Sequence, residues 1–399
     1  MSALPFLPYG RQTIEEDDVA AVAEALRDDF LTTGPRVAAF EAAFAETVGA
    51  PYAIACNSGT AALHMAAHAL GLGPGDTVIV PTLTFLATAN AARYVGAEVA
   101  FADVDADTGL MGPEQAAEAA ARAGGGAAVF PVHLNGQAAD IAGIRRALPE
   151  NVAIVEDACH ALGAEAEGAP IGACRATAAA CFSLHPVKAV AMGEGGVVTT
   201  RDPTVAERAR LFRNHGMSRE PATFANAALA FAADGTPNPW YYEMAEPGQN
   251  LRAPDILCAL GLSQLRKLPR FVARRQTLAT RYDARLAELA PLVRPVPRVR
   301  WSGHALHLYV VLIDFAAARM DRAAAMAALR ARGIGSQVHY LPVHLQPYYR
   351  KRYGDLHLPG AAAYYARCLS LPLFPAMTEQ DVDRVVDALA EILTPGRQV

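Results

Sequence analysis

The sequence predicts an α/β protein. A large domain with a mostly parallel seven-stranded sheet is expected over residues 1–253, and a smaller C-terminal α+β domain over 254–399. Three observations carry that prediction. Short apolar runs alternate with helix-forming segments between residues 52 and 200, the pattern of strand–helix–strand units. Several of those runs are apolar throughout, as strands covered on both faces are. Past residue 254 the alternation gives way to a long helical stretch and a shorter mixed arrangement.

Taken in chain order, Thr13 and Glu16 have the spacing of a capping box, with Val19, Val22 and Leu26 on one helical face behind them. Val37, Phe40, Phe44 and Val48 then recur at helical spacing. The predicted strands are YAIAC (52–56), TVIVP (77–81), EVAFAD (98–103), AAVFPVH (127–133), VAIVED (152–157), AAACFS (178–183) and GVVTT (196–200). REPATFANAALAFAADGTPNP (219–239) reads as a long excursion, and loops of that length are often functional. ILCALGLSQLRKL through ARLAEL predicts one long helix, or two broken near Pro269. A strand-like ALHLYVVLID (305–314), a helix over 321–332, GSQVHY (335–340) and a closing helix from Thr378 complete the chain.

Composition narrows the function. With 399 residues, 52% hydrophobic and 19% charged, the chain can bury a sizeable core. A net charge of −5 without a basic block gives no reason to expect nucleic acid or a membrane surface as partner. No signal peptide or membrane-length apolar run is visible. Six scattered cysteines without a CxxC pair point to reduced thiols, no metal site and a cytoplasmic location.

Lysine is scarce. Of 35 Lys+Arg residues only Lys188, Lys267 and Lys351 are lysine. Arg stays charged in proteins, whereas Lys can become a neutral amine, so an amine nucleophile has to be Lys. Lys188 follows a buried-type strand and precedes the turn GEGG (193–196). Three other pieces suit a lysine nucleophile. Asp157 ends an apolar strand, where open α/β sheets bind ligands, and could pair with a protonated ring nitrogen. Ser58-Gly59-Thr60 leads from a strand into a helix, whose N-terminus attracts an anion. Ser183 offers another donor just before Lys188. An amine, an acidic partner for a ring nitrogen and a phosphate cradle together describe a pyridoxal 5′-phosphate site. Each piece alone has a plainer reading: a helix cap for Ser58-Gly59-Thr60 or Asp157, a surface charge for the lysine, interior side chains for His160, His185, Cys159 and Cys181.

With these residues in hand, the chain resembles the DegT family of nucleotide-sugar aminotransferases. The matching motifs are LTTGP (31–35), SGTAAL (58–63), GPGDTVIVPTLTFLATANA (73–91), EDACHALGA (156–164), SLHPVK with GEGG (183–196), RNHGM (213–217), GQNLRAPDILCALGLSQL (248–265) and SLPLFPAMT (370–378). The resemblance implies an aspartate-aminotransferase-like (type I) fold and a homodimer with sites at the subunit interface. It also implies that Lys188 forms the internal Schiff base and moves the proton, and that Asp157 pairs with the pyridinium nitrogen. His160 would lie near the ring hydroxyl and Phe85 would stack on the ring. Gly59, Thr60 and Ser183 would hold the phosphate, which Asn250 would reach from the partner subunit. His185 and His339 would approach the substrate, and Tyr340 is expected to pack.

PNPWYYEM (237–244) resembles the branch that moves an amino group from L-glutamate to C4 of a UDP-linked 4-keto-6-deoxy sugar in the pseudaminic acid pathway. Two departures stand beside it: AEPGQN follows YYEM where that branch reads QELG, and Leu257 takes the place of its Gln. C4 or C3 amination of a GDP- or dTDP-linked keto sugar stays open, as does a non-catalytic regulatory role. A dehydratase of the family would carry His in place of Lys188, and a Rossmann reductase would need a GxGxxG that the chain lacks.

Overall fold

The computed structural model describes residues 5–394. Its large sheet is built from β1 (Tyr52–Cys56), β2 (Thr77–Pro81), β3 (Glu98–Ala102), β4 (Ala128–Val129), β5 (Ala153–Asp157), β8 (Ala179–Ser183) and β9 (Gly196–Thr200). A small hairpin, β6 (Glu165–Ala166) and β7 (Ala169–Pro170), interrupts that series. The strand order is β1-β9-β8-β5-β4-β2-β3. Pairings from β8 through β3 are parallel, and β9 runs antiparallel to both β8 and β1. Only β9 therefore opposes the rest, so β1, β5 and β8 end at the same edge. A second, antiparallel sheet joins Val293–Pro295, Tyr309–Ile313 and Cys368–Leu371 around its own apolar cluster. No described helix is long and apolar enough to cross a membrane, and all six cysteines are free.

Helices α1 (Glu16–Ala25), α2 (Pro35–Val48), α3 (Gly59–Ala69) and α4 (Leu86–Tyr94) open the chain. Phe40, Phe44 and Val48 are buried as their spacing predicts. Gly49, with φ 68°, ends α2 in the left-handed conformation that favours glycine. The first turn of α2 has no side-chain cap of its own. The fully buried Asp255 supplies it, accepting the N–H groups of Gly34 (2.8 Å) and Arg36 (2.9 Å). Asp255→Ala is expected to cost about 1–2 kcal/mol, because both donors lose their acceptor. A lowered urea midpoint, largely recovered by Asp255→Asn, checks this.

Four predicted elements need correction. The first helix is not capped by Thr13 and Glu16: Asp18 accepts the Glu15 N–H (2.9 Å), and the Thr13 carbonyl receives Gln264 instead. Its buried face is also different, because Asp18 and Ala25 point inward while Val19 and Leu26 are more than half exposed. Residues 127–133 form only a two-residue strand, since Pro131 has no N–H for the ladder. The 335–340 segment makes a single bridge, Gln337 to Ser370, before turning toward the first sheet. The 305–314 strand begins only at Tyr309, because the His307 N–H is given to Asn135. The long helix does break, at Lys267, with Pro269 in the first turn of Leu268–Leu286.

Candidate active site

The common C-terminal edge of β1, β5 and β8 opens into a cavity of about 700 Å³. Lys188, Gly59, Thr60, Phe85, Asp157, His160, Ser183, His185 and His339 all line it. Four of the five stretches that meet there follow strands of the large sheet whose carboxyl ends lie at one edge, and the fifth, bearing His339, comes from a segment bridged to the second sheet. Asn250 does not line this cavity. It is exposed and makes an antiparallel bridge with Asn214.

Ser58 starts α3, its hydroxyl accepting the Ala61 N–H (3.1 Å). The helix thereby presents its unpaired N-terminal donors at the cavity. Gly59 lies so close to β8 that an added Cβ would meet Ser183 Cβ at 2.7 Å. Only glycine lets the helix start and the strand end form one cradle.

Asp157 is buried and held from two sides. Thr88 donates its hydroxyl to Oδ2 (2.6 Å), and the Cys159 N–H reaches Oδ1 (3.2 Å). Thr84 and Thr88 hydroxyls are themselves 2.7 Å apart. A carboxylate fixed in this way is oriented before any ligand arrives.

The turn 184–192 carries Lys188. Its N–H bonds to the His185 carbonyl (2.8 Å), and the Met192 N–H to that of Leu184 (2.9 Å). Burial pushes the Lys188 amine below the ordinary lysine range, with Cys159 and Asp157 pulling the other way. Two of the imidazoles lining the cavity, His160 and His339, are driven toward neutrality. Burial holds His160 well below its usual value, aided by the charges of Lys188 and His339. His339 falls to about 3, by burial and then Lys188. His339 Nδ1 pairs with the Ser370 hydroxyl (2.7 Å).

Tyr340 packs against the main apolar cluster as expected, and its hydroxyl also meets His160 Nε2 at 3.0 Å within the cavity wall. A buried phenol needs a polar partner, and none was visible from its neighbours in sequence. Thr88 and His307 were also missed. Thr88 had a signal, since Thr84 and Thr88 are four apart at a helix start on the way from TLTF. His307 had none: its ring, 4.6 Å from that of His160, comes from a distant segment.

The residues present fit pyridoxal 5′-phosphate. The cradle at Gly59 excludes a side chain, Lys188 offers an amine, and the buried His160 Nδ1 has no hydrogen-bond partner in the protein. Residues 12–390 match the DegT/DnrJ/EryC1/StrS aminotransferase family. The chain belongs to this family. It is 39% identical over 394 residues to the spore coat polysaccharide biosynthesis protein SpsC of Bacillus subtilis, covering 97% of each chain. Helicobacter pylori PseC, an aminotransferase involved in the biosynthesis of pseudaminic acid, superposes with TM-score 0.87 at 26% identity. That match covers 97% of this chain and 99% of PseC. The PLP form of Spr1654 of Streptococcus pneumoniae gives TM-score 0.86 at 26% identity, covering 98% and 100%. The chain is a sugar aminotransferase with the type I fold, and its cofactor is pyridoxal 5′-phosphate.

Proposed function

We propose that the protein transfers an amino group from L-glutamate to C4 of a UDP-linked 4-keto-6-deoxy sugar, acting as a cytoplasmic homodimer in the synthesis of a surface glycan of the pseudaminic acid type. One observation carries the residue assignment: Lys188 and eight of the other expected residues share one cavity. Bound pyridoxal 5′-phosphate supplies an aldehyde that links to amines and a ring that withdraws electrons from the attached carbon.

The chain's own residues do the rest. Lys188 bears the cofactor and, once released as a free base, takes the proton from the amino-acid carbon and returns it on the other side of the reaction. Burial of its amine favours that base form. Asp157, fixed by Thr88 and the Cys159 N–H, favours a protonated ring nitrogen by charge. Gly59, Thr60 and Ser183 hold the phosphate, Phe85 covers the ring and His160 takes the ring hydroxyl. Asn250, exposed on its own subunit, is assigned to the partner's phosphate. His185 and His339 face the substrate. The large domain, 1–253, carries the cofactor, and 254–399 supplies the linking helix and small domain.

The sugar assignment draws on PNPWYYEM in this sequence and on the likeness to PseC and SpsC. A panel of UDP-, GDP- and dTDP-linked keto sugars with glutamate tests it, with the products read by mass and the aminated carbon by NMR. Amination at C4 of the UDP donor is the expected result. Turnover confined to a GDP or dTDP donor, or amination at C3, overturns the substrate. No turnover with any donor overturns the reading altogether.

A further inference from the structure

The helix Leu268–Leu286 buries one stripe formed by Leu268, Phe271, Arg275, Leu278, Ala279, Tyr282 and Leu286. One member of that stripe is charged. Arg275 is only 3% exposed, and among the described residues no carboxylate forms an ion pair with it. Burial pushes its guanidinium down to about 10, and its Nε has no hydrogen-bond partner. A buried cation without a counter-ion costs stability, and an apolar side chain of similar volume is often neutral or better at such a place. The stripe itself therefore gives no reason for Arg.

The guanidinium's contacts do give one. Nη2 donates to the Lys188 carbonyl (3.3 Å) and Nη1 to the Ala189 carbonyl (3.4 Å). The same turn is tied down at Ala191, whose N–H reaches Gln264 Oε1 (3.3 Å). We propose that Arg275 is a positioning residue: its planar fork spans two successive carbonyls and fixes the turn from which the Lys188 amine enters the cavity. A forked donor can hold both acceptors at once, whereas the single ammonium of lysine is a point charge on a flexible stem. The inference rests on the reading of Lys188 as the cofactor-bearing residue.

Full-length wild-type, Arg275→Met and Arg275→Lys proteins, stripped of cofactor, are mixed with pyridoxal 5′-phosphate. The condensation of amine with aldehyde, which releases one water, is followed by absorbance. Borohydride reduction and peptide mapping locate the linkage. In Arg275→Met the linkage is expected to form about tenfold more slowly or worse, because displaced reacting groups lose rate steeply. kcat should fall with it while KM for both substrates stays unchanged. Its melting temperature should be unchanged or raised, and Arg275→Lys should lie between it and wild type. Wild-type linkage rates in Arg275→Met overturn the proposal, as does a lowered melting temperature with a normal rate in the folded fraction. If Arg275→Met does not fold, Arg275→Lys decides: slowed linkage supports the proposal and a wild-type rate overturns it. Failure of the underlying reading looks different, because the reduced label in wild type would then lie on a residue other than Lys188.

Discussion

Lys188→Ala loses turnover by about 10⁴-fold or more, since proton transfer alone contributes about 10²–10⁴ and the covalent anchor goes with it. The fold should survive. The side chain ends in the cavity, and the turn is held by backbone bonds that alanine keeps. Removing a buried amine can even raise the melting temperature. Lys188→Arg should be equally inactive, because guanidinium does not deprotonate. The wild-type pH profile gives the complementary check. Burial lowers the Lys188 amine, so its base form persists to lower pH than an exposed lysine allows, and the acid limb of kcat should lie below the ordinary lysine range. The measurement is single- and multiple-turnover product formation across pH. Repeated turnover by Lys188→Ala would remove the basis of the mechanism.

The second large effect is on stability, at the buried Lys267. Lys267 Nζ lies 2.6 Å from Asp17, 2.7 Å from Asp18 and 3.3 Å from Glu15. Asp18 is wholly buried, with Ser263 and Gln264 also donating to it. Lys267→Met leaves that carboxylate without its cation, and removing one partner of a buried pair costs about 3–5 kcal/mol. The lower end is expected, because the neutral donors remain. The effect is pH-dependent with a definite sign. Burial raises the Asp18 pKa, but hydrogen bonds from Lys267, Ser263, the Glu15 N–H and Gln264 outweigh it, and the net shift is downward. Its stabilisation is therefore full above the ordinary aspartate range and is lost as pH falls through the folded-state value. Urea midpoints of wild type and Lys267→Met should converge as pH drops below that range. A constant gap would rule out the pair as its source.

The same residue explains a limit of the sequence reading. The strands were legible because fully buried runs leave a local mark. The inward face of α1 was not, because Asp18 is buried by Lys267, Ser263 and Gln264, which lie far along the chain. Apolar periodicity has no term for a carboxylate made interior by a distant amine, so Val19 and Leu26 were assigned inward although both are largely exposed. Lys188, Asp157, Gly59, Thr60 and Ser183 were carried by strand ends and turns, which are local features, whereas Phe85, His160, His185, His339 and Asn250 came from the family resemblance. Thr88, His307 and Tyr340 were carried by neither, because their roles exist only once the sheet has brought separate loops together. Pro131 shows the reverse case: its missing N–H was readable in the sequence, and the 127–133 strand should have been cut there.

The segment bearing His339 and Tyr340 is anchored at Gln337 to Ser370 of the second sheet, yet Tyr340 touches His160 beside the first. Any occupant of the cavity thus leans on walls tied to two different sheets, which also share one apolar cluster through Val310, Leu312 and Cys368 of the second, and acts as a rivet across them. Its affinity then enters the cohesion of both, so loss of the cofactor loosens parts of the molecule that never contact it.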